Sequence, residues 1–202
     1  MLTLTIKATN KDHMLWCDKD NKYIQIPNDV TVTMEHSLIS VSKWESRWRK
    51  AFIKTFSDQG PVPATPDEEI DYFRCMIVSP SNFNPEWIYG LSSKQAYDIL
   101  HYISNPMSAT NVQNSNEPKK TGKQDVMTSE LIYYYMIQYN IPVEFEKWHF
   151  NRLMTLIRVC SAKAAEENAK YNKKTPRIGK SELLDNYAKI NAANKAKLHS
   201  RG

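Results

Sequence analysis

The chain has 202 residues, a net charge of +5, and eleven Tyr, six Phe and five Trp. That length fits one domain, or one with a small satellite, and is enough for a core without staples; so many aromatics exclude a disordered chain. Five glycines are too few for a glycine-rich nucleotide fold, and Cys17, Cys75 and Cys160, an odd and scattered set, exclude a disulfide framework and indicate a reducing compartment.

Residues 1 to about 41 read as a β-rich N-terminal subdomain. Leu2, Leu4 and Ile6 alternate with Thr3, Thr5 and Lys7, the period of a half-buried strand. Asp18 to Asn21 mark a turn, and the runs Tyr23–Ile26 and Val30–Met34 flank Pro27-Asn28-Asp29 as a hairpin. A helical body follows over 42–165. Ser42 caps its first helix, with Trp44, Trp48, Ala51, Phe52 and Phe56 spaced near 3.6 residues. After a Pro-rich loop, Thr65 or Asp67 opens a second helix. Asp67, Glu68 and Glu69 complement its dipole, Ile70, Phe73 and Ile77 face inward, and Ser79-Pro80 ends it.

Ser92 or Ser93 caps a third helix through Tyr97, Leu100, Tyr102 and Ile103, closed by Asn105-Pro106. The polar stretch of about 107–125 predicts a long mobile loop. Thr128 or Ser129 then starts a helix with Leu131, Ile132, Tyr135, Met136 and Tyr139 on one face, broken at Asn140-Ile141-Pro142. A helix from roughly Val143 to Cys160 is apolar around most of its circumference and completes an αα-hairpin. Residues 166–202 read as a basic linker and a C-terminal amphipathic helix capped by Ser181, with Leu183, Leu184, Tyr187, Ile190 and Leu198 on its stripe. The fold class is therefore α+β: a small N-terminal antiparallel sheet and a mainly helical, bundle-like body.

Charge is uneven. From Lys147 onward thirteen Lys/Arg face four Asp/Glu, a balance that attracts nucleic acid or acidic protein surfaces and otherwise forms a solvated face. No run of about eighteen apolar residues occurs, and Met1 to Lys7 lacks the basic and then continuously apolar pattern of a signal peptide. The expectation is a soluble cytoplasmic protein with no membrane partner.

The search for chemistry ends in specific rejections. Gly179-Lys180-Ser181 resembles the end of a phosphate loop, but position 174 is Lys where such a loop needs Gly. His13 and Cys17 have metal-like spacing without a second pair. The helix pair at 128–160 is too apolar to enter a groove of DNA. Trp44 and Trp48 share a face with Phe52, which makes them core and leaves Arg47, Arg49 and Lys50 solvated. No catalytic residue, metal ligand or cofactor site is expected. Arg152 falls among Phe145, Trp148, Leu156 and Val159 and reads as a buried structural charge that needs Glu130 or Glu45 as partner; His149 reads as a hydrogen-bonded core histidine.

Several stretches carry a family resemblance. Ser42-Lys43-Trp44-Glu45-Ser46-Arg47-Trp48, Ile70 to Met76, Thr128 to Tyr134, Ile141 to Leu153 and the closing Lys197 to Gly202 resemble small proteins encoded in tailed-phage structural gene clusters, often labelled tail assembly chaperones. The resemblance implies a non-enzymatic assembly factor in the host cytoplasm that binds a tape-measure or tail-tube protein. The surfaces it would use are Tyr133 and Tyr134, the 107–125 loop, and Leu183, Leu184, Tyr187 and Ile190 of the last helix. A virion component at a head–tail or tail-tip junction and a nucleic-acid binder acting through the basic C-terminus are the alternatives.

Overall fold

The computed structural model describes residues 1–9, 14–17, 21–56, 64–110, 126–174 and 180–199. It is α+β, with antiparallel strands at the N-terminus and a mainly helical body. Met1–Cys160 form one unit and Ser161–Gly202 another. The loop expected at about 107–125 falls mostly outside the described residues, as do His13 and Gly179.

Strand β1 (Leu2–Ile6) pairs antiparallel with β4 (Val30–Met34), with Leu4 opposite Val32 and Ile6 opposite Val30. The hairpin expected across Pro27-Asn28-Asp29 does not form. Strand β3 (Lys22–Ile24) pairs backward with β2 (Leu15–Cys17), while β4 takes β1 and β5 (Ile77–Ser79) as neighbours. The long β1–β4 pairing buries Ile6, Val32 and Met34, which outweighs the local turn signal. Asp29 still holds the corner, accepting from the Ala8 backbone N–H at 2.8 Å and from Lys7 at 2.7 Å.

The first helix starts earlier than its sequence signal. Ser37, not Ser42, caps α1 (Leu38–Trp48), its Oγ accepting from the Ser40 N–H at 3.4 Å. The predicted single helix through Phe56 is two: Arg49 turns left-handed at φ 54°, and α2 (Phe52–Phe56) restarts beyond it. Leu38, Val41 and Trp44 form the buried face of α1. Trp44 is fully buried and donates its indole N–H to the Glu68 carbonyl at 3.0 Å; truncating such a residue costs about 3–5 kcal/mol.

Helix α3 (Pro66–Met76) opens as its sequence dictates, with Thr65 and Glu68 in a reciprocal capping box and Pro66 at the first position. It ends at Met76 rather than at Ser79, because Ile77–Ser79 leave directly as β5 to extend the sheet beside β4. Phe73 faces inward as expected, with Glu68, Asp71, Tyr72, Cys75 and Met76; Ile70 and Ile77 are only half-buried. A 3₁₀ segment, Pro85–Gly90, then lies on the sheet. A Cβ on Gly90 would meet the side chains of Ile26 and, at 2.9 Å, Ile6, so close approach requires glycine there. Ser92 and Gln95 box the start of α4 (Ser93–Ser104), and the Gln95 amide also donates to the Thr5 carbonyl at 2.7 Å.

Helix α5 (Ser129–Gln138) is followed by Asn140 in the left-handed region at φ 52°. The helix expected from Val143 to Cys160 begins later and runs further. Val143–Lys147 are 3₁₀, Trp148 is extended, and α6 spans Phe150–Lys174, so the stretch expected as a basic linker is helical up to Lys174. Phe150, Leu153, Met154 and Ile157 face the core. Helix α7 (Lys180–His199) begins one residue before the expected Ser181 cap. Among the described residues no helix is long and apolar enough to cross a membrane.

Glu45, 8% exposed, joins two helix starts. One carboxyl oxygen accepts from the Phe52 N–H at 2.8 Å and the other from the Ser129 N–H at 2.7 Å, so a single side chain caps α2 and α5. Glu45→Gln puts an amide donor against one of these N–H groups. It should destabilise the protein by about 1–3 kcal/mol in urea unfolding, whereas an effect near zero would show that the two contacts contribute nothing.

Candidate functional site

Strand β4 runs on beyond Met34 into the interior before α1 begins. Glu35, His36 and Ser37 are 7%, 1% and 5% exposed, so every polar group of this junction must find a partner inside the protein. The Glu35 N–H donates to the Met76 carbonyl at 2.8 Å, Ser40 Oγ donates to the Glu35 carbonyl at 2.8 Å, and the Phe150 N–H donates to the His36 carbonyl at 2.7 Å. Ser37 and His149 form a β-bridge. Helices α3 and α6 are thereby fastened to one short stretch of backbone.

The side chains extend the pattern. Tyr102 donates its hydroxyl to Glu35 Oε1 at 2.6 Å, and the Met1 amino group lies 3.1 Å from Glu35 Oε2. Burial raises both the Tyr72 and the Tyr102 hydroxyl well above the usual phenol range, so both stay donors. Tyr72 is hydrogen-bonded to His36 Nδ1. His149 donates Nε2–H to the Tyr102 carbonyl at 3.0 Å, and its buried Nδ1 has no partner among the described residues. The two imidazoles meet edge to face with centroids 5.0 Å apart, between Phe52, Phe150 and Tyr102.

This packing keeps both rings uncharged. Burial, and then the neighbouring His149, push His36 down to about 3, opposed weakly by Asn151. Burial also lowers His149, against the Tyr102 carbonyl and Glu35, which raise it. At neutral pH the pair is a neutral, hydrogen-bonded strut with little capacity to move protons. The expected core role of His149 is what the structure shows; His36, its closer counterpart in chemistry, has no periodic or motif signal in the sequence.

His36 also forms the floor of an open cleft of about 510 Å³. Phe52 and Ile53 of α2 line one side, Ile103, Ser104 and Pro106 the second, and Asn151, Met154, Thr155 and Arg158 of α6 the third. A smaller hollow of about 290 Å³ lies between α1 and α3, lined by Arg47, Trp48, Asp71, Arg74 and Tyr89 among others. Its polar groups are committed to one another. Arg47 pairs with Asp71, Trp48 donates to the same carboxyl at 2.9 Å, and Arg74 lies 5.1 Å over Tyr89 while its Nε donates to the Pro85 carbonyl. Arg47 and Lys50, expected to be simply solvated, thus pair with buried Asp71 and Glu68.

The expected buried charge at Arg152 is not buried. Arg152 is exposed and its guanidinium stacks 4.2 Å over the Trp148 ring. The helix starts at Phe150 and not at Val143, so Phe145 and Trp148 do not share a helical face with Arg152, and Glu45 serves two backbone N–H groups instead. Of the surface residues, Tyr133 is half-buried and donates its hydroxyl to Glu146 at 2.8 Å, while Tyr134 is 57% exposed. Ile137 and Val143, which no sequence signal picked out, are also exposed. Leu184, Tyr187 and Ile190 of α7 are all exposed; the side chain of Leu183 lies outside the described residues.

Among the described residues no cluster of His, Cys, Asp and Glu is arranged to hold a metal ion. Cys17 and Cys75 are buried, Cys160 is half-buried, and none is in a disulfide. Comparison with protein-family models, curated proteins and solved structures finds no match to this chain.

The neutral histidines make stability depend on acid. With folded-state values below the unfolded 6.5, the unfolded chain binds more protons as the pH falls, so stability is full above about 6.5 and lost from there down towards 3. His36 should contribute a slope of about 1.4 kcal/mol per pH unit in that window, and His149 adds to it in the same direction. Urea titrations at successive pH values should show it, and His36→Gln should flatten the slope by about one proton; an unchanged slope in that variant would exclude His36 as the source.

Proposed function

We propose that this chain is a non-enzymatic assembly factor of tailed phages that binds a tape-measure or tail-tube protein in the host cytoplasm. The observation that carries the reading is helix α7, which holds Leu184, Tyr187 and Ile190 at 62%, 60% and 55% exposure over less than two turns. Apolar side chains so placed on adjacent turns of one helix lower their free energy by packing on a partner. Tyr134 and Ile137, exposed one turn apart on α5, offer a second contact of the same kind. The resemblance of residues 42–48, 70–76, 128–134 and 141–153 to proteins of tailed-phage structural gene clusters supplies the identity of that partner.

The neutral, fully hydrogen-bonded state of the His36–Tyr72 pair is in keeping with a protein that binds rather than catalyses. The basic C-terminal charge favours a second reading, nucleic-acid binding, and salt separates the two. Contacts to phosphates weaken steeply between about 50 and 200 mM salt, whereas contacts through Leu184 and Tyr187 do not.

Co-expression of the full chain with tape-measure and tail-tube proteins of tailed phages tests the reading. The complex should survive 200 mM salt, and Leu184→Glu with Tyr187→Glu should weaken it at least about tenfold while the circular dichroism stays unchanged. Binding that ignores both substitutions, or no complex with either tail protein, would remove the proposal. Recovery of the chain in purified particles by mass spectrometry would make it a virion component instead.

A further inference from the structure

Between Met136 of α5 and His149 no residue is buried; the chain runs over the surface as the end of α5, the 3₁₀ segment Val143–Lys147 and extended Trp148. Its hydrogen bonds are local. The Ile141 N–H donates to the Met136 carbonyl at 2.8 Å, the Trp148 N–H to the Phe145 carbonyl at 3.0 Å, and the Tyr133 hydroxyl of α5 to Glu146 at 2.8 Å. Ile141 and Phe145 add half-buried apolar contact. The fastening to the body comes at the end of the segment. There the His149 backbone bridges Ser37, its ring donates Nε2–H to the Tyr102 carbonyl at 3.0 Å, and the Phe150 N–H donates to the His36 carbonyl at 2.7 Å. A surface segment held at one buried point opens at lower free energy than the whole core.

The ring at that point cannot hold a second proton where it lies. Nε2–H is committed, so the proton must go to Nδ1, which is buried and has no hydrogen-bond partner among the described residues. The groups that face the ring are Glu35 and His36 after β4, Tyr102 of α4 and the Met1 amino group. Tyr72 of α3 and the apolar Phe52 of α2 stand behind His36, and Arg152 of α6 lies out over Trp148. Glu35, the anion in this set, already accepts from Tyr102 and pairs with Met1. An imidazolium here is a buried charge without an acceptor, and burial outweighs the pull of the Tyr102 carbonyl and Glu35.

We propose that His149 is an acid-sensitive latch: a proton on Nδ1 draws the ring into water and releases residues 139–149 from the body while α1, α3 and α4 stay folded. Released, the ring takes its proton near 6.5; closed, it does so only at lower pH. The segment is therefore shut at neutral pH, and opening is favoured as the pH falls through about 6.5. The latch does not depend on the tail-protein reading, whose main surface is α7.

Native-state hydrogen exchange of the full chain, followed by NMR and corrected for intrinsic rates, tests this. The opening constant at the Phe150 N–H should rise at least about threefold between about pH 7 and pH 5 and depend little on low urea. Exchange at the Val41 N–H in α1 should instead depend steeply on urea, because it needs global unfolding. His149→Gln keeps a donor for the Tyr102 carbonyl but takes no proton, so the rise at Phe150 should vanish. Should that variant fail to fold, the comparison of Phe150 with Val41 in the unaltered chain decides alone. Exchange at Phe150 that ignores pH, that follows Val41 in urea at every pH, or that keeps its pH dependence in His149→Gln would overturn the proposal.

Discussion

The structure depends on one buried stretch of main chain. Strand β4 is the middle strand of its sheet, with β1 and β5 on either side, and it feeds straight into helix α1 through Glu35, His36 and Ser37. A segment inside the protein must satisfy its backbone polar groups without water, and a failure at each one costs about 1–3 kcal/mol. Met76, Phe150 and Ser40 meet that demand, and the side chains add Tyr72, Tyr102 and His149. The sheet and the helical body therefore share a single core in which Met34, Leu38, Tyr72, Met76 and Phe150 are neighbours in one cluster.

Around this junction buried carboxyls act on helix starts and indoles. Glu45 caps α2 and α5, Glu68 caps its own helix and pairs with Lys50, and Asp71 receives Trp48 and Arg47. A carboxylate removed from water is costly unless it is fully hydrogen-bonded, and each of these three has at least two donors. Helix α1 carries Glu45, Arg47 and Trp48 together, so its faces set the places of α2, α3 and α5. The described part of α7 contrasts with this: its side chains from Leu184 to Lys197 are all exposed.

Local signals in the sequence were readable where the physics is local. Thr65 with Glu68 and Ser92 with Gln95 announce their helices because a capping box needs only four consecutive residues. The alternation of Leu2, Leu4 and Ile6 gives β1, and the spacing around Trp44 gives a core face. Failures came where distant residues decide. Pro27-Asn28-Asp29 has good turn chemistry, yet β4 gains more by pairing with β1. Trp148 breaks the helical phase, which turned Arg152 from an apparent core charge into a surface cation on an aromatic ring. His36 and Glu35 were invisible as a site because a polar pair after a strand looks like a solvated turn until α3, α4 and α6 cover it. The cleft was hidden for the same reason, since its walls come from three helices far apart in the chain.

The double cap at Glu45 has a consequence for the order of events during synthesis. Its second donor, the Ser129 N–H, lies 84 residues downstream. At translation rates of about 5–20 residues per second, that donor is made roughly 4–17 s after Glu45. Tyr102, which completes Glu35, follows it by 67 residues. Glu35 and Glu45 therefore emerge well ahead of these donors, and the N-terminal quarter of the chain cannot settle into its native interior until α5 has been made.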